Sequence, residues 1–194
     1  MRKILIAAML AVGLSGCVSI QGPGSREEWQ AIHVREYHGK SQKDVLDAAE
    51  KILRLADHDF NFDYPDGKLV GQRSWVVYMA IAIVGGTDYW TVSTEALPSA
   101  TRVTVDVTRA TGSVYAAPVI GGPGATVQQS STPGVPLRTR AAYDLFFARL
   151  DHLLSGSGTW TTCDEFKLTV ARRDRGGIDT LCSITTDDKA PDAP

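Results

Sequence analysis

Between Thr101 and Thr108 apolar and polar residues alternate without a break: Val103, Val105 and Val107 against Thr104, Asp106 and Thr108. Successive side chains of a strand point to opposite faces, so this segment needs one buried face and one wet face. A half-buried strand needs a sheet around it and a cover over one side. Two segments have the apolar stripe to supply that cover. From Ser41 to about Ala56, Val45, Ala48, Ala49, Ile52, Leu53 and Ala56 recur at 3–4 spacing, while Lys43, Asp47, Glu50 and Arg54 face water. Ser41 and Asp44 form a capping-box pattern with a shortened acid. From Arg138 to Leu154, Ala142, Leu145, Phe146, Arg149, Leu150, Leu153 and Leu154 cluster near one face, and Gly156 and Gly158 stop the run.

The remaining segments read as strands and turns. Glu28 to Tyr37 is expected as a first strand, with Ile32 and Val34 on one face and Trp29, Ala31 and His33 on the other; Gly39 ends it. Phe60, Phe62 and Tyr64 alternate with acids and Asn61, then Tyr64-Pro65-Asp66-Gly67 carries a type I turn signal and Lys68 to Ser74 returns. Trp75 to Val84 is nearly all apolar and suits either a strand buried on both faces or a short buried helix. Gly85 to Asp88 reads as a turn, Tyr89 to Leu97 as a strand and Pro98-Ser99 as a turn. Residues 111–136 are rich in Gly, Pro, Ser and Thr, the composition of a long functional or disordered loop, or of an extended hairpin with Val114 to Ile120 as one arm. In the tail, Thr162 and Glu165 form a capping box that favours a helix, whereas Phe166, Leu168 and Val170 alternate; a strand is expected. The element order predicts an α+β fold, an antiparallel sheet with two amphipathic helices packed on one face. In that order alone, residues 28–155 resemble the helix-on-sheet modules of envelope lipoproteins, including BamC-like modules, and the TATA-binding-protein-like folds.

The start of the chain is more specific. Arg2 and Lys3 precede an uncharged, mostly apolar run from Ile4 to Leu14, too short to span a bilayer as a mature helix. The run ends in Leu14-Ser15-Gly16-Cys17. This stretch resembles the lipobox of bacterial lipoproteins. The resemblance implies cleavage before Cys17, acylation of that cysteine, and a domain held at the membrane by lipid. Three acyl chains make such an anchor effectively permanent, since each buried methylene contributes about 0.8 kcal/mol. Val18, where an Asp would imply inner-membrane retention, points to the outer membrane. Residues 1–16 are thus expected as a signal peptide, 17–27 as a lipidated tether, 28–186 as a single domain and 187–194 as a frayed tail.

Removing the first 16 of 194 residues leaves 178, enough for one cored domain. The leader removes Arg2 and Lys3 from 20 basic residues, so 18 stand against 22 acidic ones and the net charge is −4. That balance argues against a nucleic-acid partner. With Cys17 acylated, Cys163 and Cys182 remain in an oxidising compartment, where a disulfide is expected to clip the C-terminal tail.

Motifs of catalysis are missing from the sequence. It holds no Gly-x-Ser-x-Gly elbow or His-Glu-x-x-His pair, and Gly39-Lys40-Ser41 lacks the upstream glycine of a phosphate loop. His33 and His38 flank the end of the first expected strand, and His152 lies on the second helix. His58, between Asp57 and Asp59, reads as a helix-end cation rather than a metal ligand. Asp187-Asp188 reads as a solvated charge doublet. No catalytic residue, metal or cofactor is expected. Trp75, Tyr78, Tyr89 and Trp90 are either core or a partly exposed apolar surface, the candidate binding surface. The expected function is that of a non-enzymatic accessory lipoprotein of the envelope that binds another protein. The second reading is a carrier holding an apolar small molecule or lipid between helix and sheet.

Overall fold

A computed structural model describes residues 25–79, 82–118, 125–137, 140–156, 159–167, 181–182 and 188–191. The lipobox, Cys17 and the tether up to residue 24 lie outside these. The described residues form an α+β fold: α1 (Arg26–His33), β1 (Val34–His38), α2 (Gln42–Ala56), β2 (Asn61–Asp63), β3 (Leu69–Met79), β4 (Ala82–Ala96), β5 (Ala100–Pro118), β6 (Ala125–Pro136) and α3 (Arg140–Ser155). All pairings are antiparallel, in the order β1-β5-β4-β3-β2, with β6 also pairing β5. β1 pairs with residues 100–104 of β5 and β6 with residues 108–118, so the two share one edge of β5.

Among the described residues a further helix, α1, joins the two expected on the sheet. The expected strand from Glu28 begins as α1 because Ser25 caps it, accepting from the Glu28 N–H at 3.1 Å, with Glu27 and Glu28 in the positive first turn. Trp29, Ile32 and His33 also fit helical spacing, and Ile32 and His33 are the buried pair. Ser25 to Glu27 therefore belong to this helix, not to a tether. α2 follows the expected stripe and is capped reciprocally by Ser41 and Asp44. Its Val45, Ala49, Ile52 and Leu53 join Leu69, Trp90, Val92, Val103, Val105 and Val107 of the sheet and Tyr143, Phe146 and Leu150 of α3 in one buried core. The Trp90 and Phe146 rings lie 5.4 Å apart in it.

Three loop and strand expectations are corrected, and one left open is decided. The β2–β3 turn is closed one residue later than a type I turn at Pro65. Asp66 (φ 51°) and Gly67 (φ 72°) both take positive φ, and Lys68 N–H donates to Pro65 O at 3.0 Å, as in a type I′ turn. Trp75 to Val84 is neither one buried strand nor a helix: it contains the end of β3 and the start of β4, paired from Trp75↔Gly86 to Met79↔Ala82. Gly85 to Asp88 is strand within β4, not a turn. Gly86 is required there by close approach, because a Cβ would lie 2.3 Å from Ala110 O and 2.7 Å from the Trp75 ring. Of the readings open for residues 111–136, the extended hairpin holds: residues 111–118 of β5 pair with β6, and residues 119–124 lie outside the description.

In the tail the capping box prevails over the alternation. The Thr162 hydroxyl accepts from Glu165 N–H at 3.3 Å, Glu165 accepts from Thr162 N–H at 3.0 Å, and residues 163–167 are helical. Leu168 and Val170 are not among the described residues. Cys163 and Cys182 form the expected disulfide, with Cα atoms 5.4 Å apart. Asp188 falls in the segment expected to fray, yet it accepts from the fully buried Arg149 at 2.6 Å and from Cys163 N–H at 2.6 Å. Arg149 also lies 4.6 Å over the Trp160 ring. Reduction of the disulfide, whose cysteines are 19 residues apart, should lower stability by about 3 kcal/mol. Urea unfolding with and without reductant measures this; identical midpoints would contradict it.

Candidate functional site

Arg73, Asp88 and Arg109 lie directly opposite one another on β3, β4 and β5. The Asp88 carboxylate accepts from Arg73 Nη2 at 3.0 Å and from Arg109 Nε and Nη2 at 2.6 and 2.8 Å. Asp88 is fully buried and Arg73 is 1% exposed. Arg73 also faces Asp57, the C-cap of α2, at 3.9 Å and lies 5.3 Å over Phe60. Two cations thus meet two carboxylates, with only Arg109 partly open to water, and each charge depends on the others. Arg109 in turn lies 5.1 Å over Trp75.

This cross-strand row ends the helix-covered body. Beyond it β3, β4, β5 and β6 continue as a four-stranded arm. Residues 74–87 and 110–137 contain no Asp, Glu, Lys or Arg, although charged residues make up 22% of the chain. Within the arm Val76 is 55% exposed and Tyr78 79% exposed. The length of the two charge gaps is a sequence signal that period counting passes over.

The arm divides the four residues expected as a binding surface. Tyr78 is on its open face, and Tyr89 is half-buried at its base. Trp75 lies against Gly86 and Arg109. Trp90 is fully buried against Phe146 and is core, which removes it from any binding surface. The histidines do not converge. His33 is buried between Trp29 and Tyr143, its Nδ1 2.8 Å from Val105 O. His58 is exposed just past the α2 C-cap, and His152 meets the Trp160 ring edge-on at 5.8 Å. Among the described residues no group of three or more His, Cys, Asp or Glu is placed to hold a metal.

A polar cleft of about 580 Å³ opens between β1 and the end of α3, lined by Tyr37, His38, Lys40, Asp151, Thr159 and Thr161 among others. Tyr37 donates to Asp151 at 2.8 Å, and burial together with that carboxylate raises its pKa. Nearer the arm, Tyr143 donates to Leu137 O at 2.9 Å and accepts from Val107 N–H at 3.3 Å. Burial pushes its phenol up to about 12. No family model, curated protein or solved structure matches this chain.

Two measurements check these contacts. Asp88→Ala, which strands Arg73 without its partner, should cost about 3–5 kcal/mol in urea unfolding, and Arg73→Met with Asp88→Leu less; a milder single variant would contradict the buried row. The folded state holds the Tyr143 proton more tightly than an unfolded chain, whose phenols titrate near about 10. Its contribution to stability should be intact below that pH and lost as pH rises to about 12. Tyr143→Phe should flatten the alkaline limb of the stability curve; an unchanged limb would refute the assignment.

Proposed function

We propose that this protein is a lipid-anchored accessory protein of the cell envelope that acts by binding another protein, with the arm as its contact element. The observation that carries the reading is the arm itself. A water-exposed ribbon ordinarily carries charge, and natural sheets protect open edges with charged residues. Here Val76 and Tyr78 are exposed on strands without a charged residue past the Arg73–Asp88–Arg109 row. Exposed apolar patches of this kind mark interaction sites. The lipobox-like Leu14-Ser15-Gly16-Cys17 supplies the anchor and the periplasm-facing, outer-membrane location.

Cys17→Ser should release the protein from membranes into the soluble envelope fraction; retention of that variant would contradict the anchor. A photo-crosslinking residue at position 78 should capture one defined partner, and the same residue at the exposed Lys51 on α2 should not. Val76→Asp with Tyr78→Asp should abolish that capture. The pair should change urea stability by no more than about 0.5 kcal/mol, as surface substitutions do.

A further inference from the structure

We infer that the cleft between β1 and the end of α3 is a second binding site, one that holds a short peptide with free termini. The inference is independent of the arm. It rests on two opposite charges that line the cleft with bonding capacity left over. Lys40, just past β1, is half-buried and forms no ion pair among the described residues. An ammonium that loses part of its hydration ordinarily gains a carboxylate in return. Asp44 lies within range of the Lys40 charge but is engaged in the α2 cap, accepting from the Ser41 N–H at 3.0 Å and from the Ser41 hydroxyl at 2.7 Å.

On the other wall stands Asp151 of α3. Its Oδ1 accepts from the Tyr37 hydroxyl at 2.8 Å, while its Oδ2 accepts no hydrogen bond among the described residues. The remaining acid of the cleft is already matched, since Glu36 accepts from Arg102 Nε and Nη2 at 3.1 and 2.9 Å. His38 adds an imidazole on the Lys40 side. The cleft thus offers one cation and one anion. The two form no ion pair with each other, so a gap separates them.

That pairing selects the occupant. An inorganic anion would satisfy Lys40 and be repelled by Asp151, and a simple amine would do the reverse. A zwitterion satisfies both, with its carboxylate at Lys40 and its ammonium at Asp151 Oδ2, each through a charge-assisted hydrogen bond. The volume of about 580 Å³ falls within the roughly 300–1,000 Å³ of small-molecule sites. Its cube root, about 8 Å, is the reach of two to three extended residues at roughly 3.3–3.6 Å each. Thr159 and Thr161 bring hydroxyls without a hydrogen bond among the described residues, which suit peptide N–H and C=O groups. Ala148 and Leu154 add apolar contact for small side chains.

The test is isothermal titration calorimetry on the full-length chain, with trialanine as the probe. Saturable heat with a Kd below about 1 mM is expected. N-acetyl-trialanine lacks the ammonium and trialanine amide lacks the carboxylate; each should bind about tenfold more weakly, the loss of one charge-assisted hydrogen bond. Lys40→Met should weaken trialanine by a similar factor and make no further difference to the amide. Asp151→Asn, which keeps an oxygen for Tyr37, should do the same for the acetylated peptide. Lys51→Ala, on the exposed face of α2, should bind as the unaltered chain does. The capped peptides read the site on the unaltered chain, so the outcome does not depend on a variant folding. Absence of saturable heat with trialanine overturns the site. Equal affinity for all three peptides overturns it too, as does unchanged affinity in Lys40→Met and Asp151→Asn chains that melt normally. Because the arm takes no part, failure here leaves the arm as contact element standing.

Discussion

The Asp88 carboxylate, held between Arg73 and Arg109 with no exposure to water, is the interaction on which the rest of this architecture turns. It ties three adjacent strands at one level. Through Arg73 and Asp57 it also ties them to the end of α2. On one side of it the sheet is covered by helices and filled with Val, Leu, Trp and Phe. On the other the same strands continue without that cover among the described residues and without a charge. A buried ionic row is costly to form and more costly to break, and such groups can fix register where apolar packing alone would permit slippage.

The body and the arm solve different physical problems with the same strands. In the body, one face of β4 and β5 is buried under α2 and α3, and the other carries water-facing pairs such as Arg102 with Glu36 and Glu95. In the arm the chain gives up charge altogether, which in water would invite association. The C-terminal segment belongs to the body: Arg149 reaches out of the core to Asp188, beside the Cys163–Cys182 bridge.

Much of the body was legible because its signals are local. The stripe of α2, its capping box, the alternation of Val103, Val105 and Val107, and the glycine stop after α3 each arise from contacts within a few residues. Errors arose where two local signals competed. Trp29 to His33 fits both periods, and Ser25 decides for helix; Thr162 and Glu165 outweigh the alternation that begins at Phe166. The glycines at 85 and 86 resemble a turn by composition but are placed by the Trp75 ring across the ladder, which no local rule reports. The candidate surface was half legible. Tyr78 is exposed, while Trp90, of the same aromatic character, is the most deeply packed ring in the sheet.

By itself, then, the sequence determined that helices would cover one face of an antiparallel sheet, because periodicity and capping are properties of neighbouring residues. It also carried the charge gaps that define the arm. Only the tertiary structure decided that the apolar run from Trp75 to Val84 folds back as a hairpin, that residues 111–118 prolong β5 and residues 125–136 pair with it as β6, and that Arg73, Asp88 and Arg109 align in one row beneath them. Those outcomes depend on register between strands distant in the chain, and register is set by pairing partners rather than by any one segment's composition.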